Sequence, residues 1–141
     1  MSPQEKKHIK FVIRDKEKRM KPETLIYDKV RKIIPLNSEK NIFFAGMTNS
    51  SHEVFFYSFF NGQPKQCYAL AEEGVLDENE LAAVFSELVE ILRESKEYKE
   101  GFYNAATIIV DKAGIKLDMN YHDMEESEYI IQKEWKKLYD V

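Results

Sequence analysis

The chain has 141 residues, 43% hydrophobic and 33% charged, with one cysteine and a net charge of −4. That composition suits one soluble domain with a single core and excludes a disordered chain. It equally excludes an internal disulfide framework or a thiolate metal cluster, and Cys67, among strand-like residues, reads as a small buried hydrophobe.

The opening MSPQEKKH lacks the apolar core of a signal peptide, and the longest apolar runs are far shorter than a membrane span. We therefore expect a cytoplasmic protein without membrane attachment. Residues 1–70 carry 13 Lys/Arg against 7 Asp/Glu, and residues 71–141 carry 8 against 18, so the halves stand at +6 and −10. An acidic C-terminal half attracts basic partners and repels nucleic acid.

In chain order, Ser2-Pro3 suits a helix start, and Ile9, Val12, Ile13 and Met20 give residues 2–20 a thin apolar stripe among charges. Lys21-Pro22 breaks that helix, leaving residues 1–21 as a peripheral basic segment. Leu25, Ile26, Val30, Ile33 and Ile34 predict a second helix over 22–34, ended by Pro35. Three strands are predicted next: Ile42 to Met47, Val54 to Phe60 and Gln66 to Leu70, with Asn61-Gly62 as a hairpin turn. The second is apolar on both alternating faces, so the sheet should be covered on both sides there.

Asp77, with Glu80 three residues on, reads as the cap of a helix whose Leu81, Val84, Phe85, Leu88, Ile91 and Leu92 form one face. Ala105 to Val110 is a fourth strand, and Asp111-Lys112-Ala113-Gly114 a tight turn needing glycine at a positive φ. In the fifth strand, Ile115, Leu117, Met119 and Tyr121 face the core and Lys116, Asp118, Asn120 and His122 face outward. A last helix over 125–139 contributes Tyr129, Ile130, Trp135, Leu138 and Tyr139 as apolar contacts. The expected fold is α+β, one domain over 1–141, with about five antiparallel strands packed with helices in the order ααβββαββα.

Catalytic and metal motifs are sparse. No Gly-rich phosphate loop, G-x-S-x-G or H-E-x-x-H occurs. A Cys67–His52 or Cys67–His122 dyad stays open, although a mid-strand cysteine lacks the helix N-terminus that activates thiolates. Asp118, His122 and Asp123 offer metal-ligand types but converge only loosely and lack a further ligand. We expect no enzyme, no cofactor and no metal. Lys6, Lys7, Lys10, Arg14, Lys16, Lys18, Arg19 and Lys21 would suit phosphate, which keeps a nucleic-acid-associated regulator as the alternative. Interleaved Glu5, Asp15 and Glu17 favour a solvated helix face instead.

One pattern points further. The helix L-x-x-V-F-x-x-L-x-x-I-L-R is followed by the hairpin D-K-A-G-I-K-L-D-M-N-Y-H-D, then E-S-E and K-E-W-K-K-L-Y. Over roughly residues 77–139 this resembles the YezG-like immunity proteins, bacterial antitoxins against polymorphic or contact-dependent growth-inhibition toxins. Gly114, the alternating Leu117 to Asp123 and Trp135 carry the resemblance, while Asn120 stands where much of the family has an acid. It implies a protein that binds a cognate toxin domain, in many cases a nuclease, without catalysis. The partner-binding residues it suggests are Asp118, Asn120, His122, Asp123, Glu125 and Glu126, with Glu72 and Glu73 next. Trp135 reads equally as a core residue.

Overall fold

The computed structural model describes residues 21–123 and 127–141. The predicted helix over 2–20, with its basic side chains, lies outside the described residues, as do Glu125 and Glu126. The fold is α+β. Helix α1 (Pro22–Val30) precedes strands β1 (Lys40–Met47), β2 (His52–Phe60) and β3 (Gln63–Gln66). Helices α2 (Cys67–Glu72), α3 (Glu78–Glu94) and α4 (Lys96–Lys99) follow, then β4 (Ala105–Asp111), β5 (Gly114–Asn120) and α5 (Glu128–Leu138). The five strands form one antiparallel sheet in the order β3-β2-β1-β4-β5.

Turn chemistry sets the registers. Asn61 and Gly62 both take positive φ, 51° and 78°, between the paired Phe60 and Gln63, as a two-residue hairpin of matching twist requires. Gly114 has φ 128°, and the Asp111 carboxylate accepts from the Ala113 N–H at 2.8 Å, closing the β4–β5 hairpin as predicted.

The third strand departs from expectation. The hairpin turn is so tight that pairing resumes at Gln63, and the strand ends at Gln66. Cys67-Tyr68-Ala69-Leu70-Ala71-Glu72, predicted to be largely strand, is the helix α2 instead. Ala and Leu favour that helix, and six residues are too few to show a helical period. With the short α4 added, the described order is αβββαααββα rather than the simpler one expected.

Strand alternation divides the side chains between two covered faces. On one, Phe43, Ala45, Met47, Phe56, Ala106, Ile108 and Val110 are buried on the same side as half-buried Ile115, Leu117 and Met119. Helix α3 packs there through Leu81, Val84, Phe85, Leu88, Val89 and Leu92, with Phe85 edge-on to Phe56 at 6.1 Å. Its cap is Asp77, whose carboxylate accepts from the Asn79 N–H at 2.9 Å. Helix α1 lies alongside, its Lys29 ammonium 3.3 Å from Glu87. Among the described residues the buried polar pair in this layer is Asn41 with Ser58, whose hydroxyl donates to the Asn41 amide oxygen.

The other face carries Ile42, Phe44, Gly46, Phe55, Tyr57, Thr107 and Ile109, and α5 lies across it. Trp135 is buried against Phe44 (5.5 Å), Phe55 (5.4 Å) and Tyr57 (6.4 Å), and its indole N–H donates to the Thr107 hydroxyl at 2.9 Å. The two-sided coverage read from β2 is borne out. The apolar face predicted for the last helix is narrower than expected. Tyr129 and Leu138 are 71% and 75% exposed and Ile130 is also exposed, because Trp135 centres the helix on Ile131, Trp135 and Tyr139. Tyr121 is likewise exposed, since β5 ends at Asn120.

Where α3 ends, the Tyr103 hydroxyl donates to the Leu92 carbonyl at 2.8 Å and lies 2.6 Å from the Ser95 hydroxyl. Burial raises the Tyr103 pKa above its ordinary 10.0, against a lowering bond from Ser95. Burial also raises Cys67 above 9.0. Both groups are neutral acids held more tightly protonated when folded. Their stabilisation is complete below the unfolded values and is lost as pH climbs through the folded ones.

Trp135→Ala should destabilise the fold by about 3–5 kcal/mol in urea denaturation, through lost burial and the cavity left behind. Thr107→Val should cost about 1–3 kcal/mol, by leaving the buried indole N–H unpaired. Stability should hold up to about pH 9 and then fall, and Tyr103→Phe should flatten part of that alkaline decline.

Candidate functional site

The β1–β2 pairing sets Gly46 opposite Glu53, and the β1–β4 pairing sets Gly46 opposite Ala105. Glycine and alanine side by side leave the sheet floor low just where the N-terminal end of α5 crosses it. The result is a cleft of about 180 Å³. Phe44, Gly46 and Ala105 line its floor, Glu128, Ile131 and Gln132 come from α5, and His122 and Asp123 come from the segment after β5. Gly46 also makes way for the Phe44 ring, which a methyl group there would meet at 3.1 Å.

Two polar anchors hold the rim. Asn104 accepts from the His122 N–H and donates to the His122 carbonyl, each at 2.8 Å, so one side chain fixes the backbone leaving β5. Arg93, in the last turn of α3, donates to the Thr48 and Ser51 carbonyls at 2.9 and 2.7 Å, tying down the β1–β2 loop. Thr48 lines the cleft from that loop.

Among the described residues the lining contains no Lys or Arg, while Glu53, Asp123 and Glu128 contribute three carboxylates over an apolar floor. Such a lining matches the chemistry of an aliphatic stem ending in a cation, being apolar at Phe44 and Ala105 and anionic at the rim.

The structure brings together some of the residues singled out from sequence. Lys116, Asp118 and Asn120 are exposed in register with Ile109, Thr107 and Ala105, on the α5 face of the sheet. His122 is half-buried and Asp123 exposed, both at the cleft. Glu72 and Glu73 do not join them. They end α2, which packs on β2 and β3 at the far edge of the sheet, and Glu73 is paired with Lys65 at 3.2 Å.

Glu53 and Asn104 were missed in the sequence. Glu53 belongs to the site only through the β1–β2 hairpin register combined with the long-range pairing of β1 and β4, and Asn104 precedes β4 without any motif. Cys67 stands first in α2, a position that activates exposed thiols, but it is fully buried and its pKa is raised, so activation is absent. Among the described residues no three His, Cys, Asp or Glu side chains gather as metal ligands, and no helix is long and apolar enough to cross a membrane. No protein-family model matches the chain, and no curated protein matches it.

Asn104→Ala should lower stability by about 1–3 kcal/mol and speed hydrogen exchange at the His122 amide. Asn104→Asp, which keeps the acceptor but sets an anionic oxygen against the His122 carbonyl, should also fall below the wild type.

Proposed function

We propose that this protein is an immunity protein, an antitoxin that binds and neutralises a cognate bacterial toxin domain in the cytoplasm. One observation carries the reading: a cleft rimmed by the carboxylates of Glu53, Asp123 and Glu128, with no Lys or Arg among the described residues of its lining, on the same sheet face as Asp118 and Asn120. Carboxylate acceptors on β2, on the last helix and on the segment after β5 form an anionic surface for a basic partner. The YezG-like pattern of residues 77–139 supports the same reading.

A nuclease is the toxin class whose chemistry fits best, because its substrate cleft is basic and an acidic inhibitor competes with phosphate for it. Inhibition of this kind needs no catalysis and no cofactor. A Lys or Arg of the toxin would place its stem over Phe44 and Ala105 and its charge among the rim carboxylates. Asp118, Asn120 and His122 would extend the contact along β5.

The test is co-expression and co-purification with the product of the adjacent gene. The protein should rescue growth and co-purify with that product. Glu53→Lys combined with Asp123→Lys should weaken the complex by about a hundredfold or more and abolish rescue. Glu72→Lys, at the far edge of the sheet, should leave rescue intact. Failure to rescue from any neighbouring toxin would overturn the reading.

A further inference from the structure

The two edges of the sheet differ. The β3 edge is four residues long and contains Pro64, which has no N–H to offer an incoming strand. The β5 edge, Gly114–Asn120, is seven residues long and free of proline, and among the described residues it pairs only with β4. Its outer side chains Lys116 and Asp118 are exposed, and neither forms a salt bridge among the described residues. Ile115, Leu117 and Met119 are only half-buried on the other face.

The order of these residues, Gly-Ile-Lys-Leu-Asp-Met-Asn, is complementary to itself when reversed. We propose that β5 pairs antiparallel with β5 of a second copy, about a two-fold axis at Leu117. That register sets Lys116 of each copy opposite Asp118 of the other, twice, on one face. On the opposite face Leu117 meets Leu117, and Ile115 meets Met119, extending the half-buried apolar row. Centring the pair on Lys116 or Asp118 instead puts like charges directly opposite. Centring it between residues sets polar against apolar side chains. Of the registers centred in the middle of the strand, only the Leu117 one satisfies both faces, and it continues the sheet through both copies. This goes beyond the toxin reading, since it concerns the edge of β5 and a second copy of this chain.

Sedimentation equilibrium and light scattering on the full chain test it. The wild type should be a dimer that dissociates on dilution, and more readily at high salt. Lys116→Asp and Asp118→Lys each turn two opposite-charge pairs into two like-charge pairs, and each should raise the dissociation constant by at least about tenfold. The combined Lys116→Asp/Asp118→Lys variant exchanges the charges and should restore the wild-type constant. A monomeric wild type at the highest attainable concentration would overturn the proposal. A dimer indifferent to both single reversals, or a double variant that stays monomeric, would do the same. Circular dichroism of each variant separates loss of pairing from loss of fold.

Discussion

The seating of Trp135 on the aromatic face of the sheet governs the rest of the architecture. Its ring meets Phe44, Phe55 and Tyr57, and its only polar atom is satisfied by Thr107. An indole buried in this way fixes α5 in rotation as well as position, because the N–H must reach one particular hydroxyl. The direction of α5 then decides where Glu128, Ile131 and Gln132 lie, and with them the upper wall of the cleft. The helix end is therefore positioned by a residue two turns away that takes no part in the cleft itself.

The sheet supplies the other half of the arrangement. Two large rings, Phe44 and Phe55, stand under Trp135, whereas Gly46 and Ala105 stand beneath the start of the helix. The same layer is thus tightly filled at one end and hollow at the other. The acidic rim joins Glu53 of β2 to Asp123 and Glu128, which follow β5, and it forms when β1 pairs with β2 and β4, β4 pairs with β5, and α5 crosses the sheet. Glu53 is thus far in sequence from the other two carboxylates and shares one cleft with them.

That dispersal explains what could be read from residues alone. Local signals were strong where the physics is local. Asn61-Gly62 demanded a two-residue hairpin, the spacing from Leu81 to Leu92 demanded a buried helix face, and the alternation of β5 separated Lys116, Asp118 and Asn120 from Ile115, Leu117 and Met119. Signals failed where length or distance intervened. Six residues after Gln66 are too short to declare a helical period, so α2 resembled a strand. The exposure of Tyr129, Ile130 and Leu138 depends on which single residue anchors α5, and Trp135 outweighs them by its size and its hydrogen bond. Glu53 entered the site by a cross-strand register that no local pattern specifies, and Glu72 and Glu73 left it because their helix packs at the opposite edge.

The one thiol offers a use of its own. Cys67, the first residue of α2, has no surface open to reagent, and burial holds its proton in place. A thiol-specific reagent can reach it only when α2 lifts or the chain opens more widely. Because the sequence contains no second cysteine, the rate of labelling counts those openings without interference. The protein therefore carries an internal clock for its own breathing, readable without engineering a probe into it.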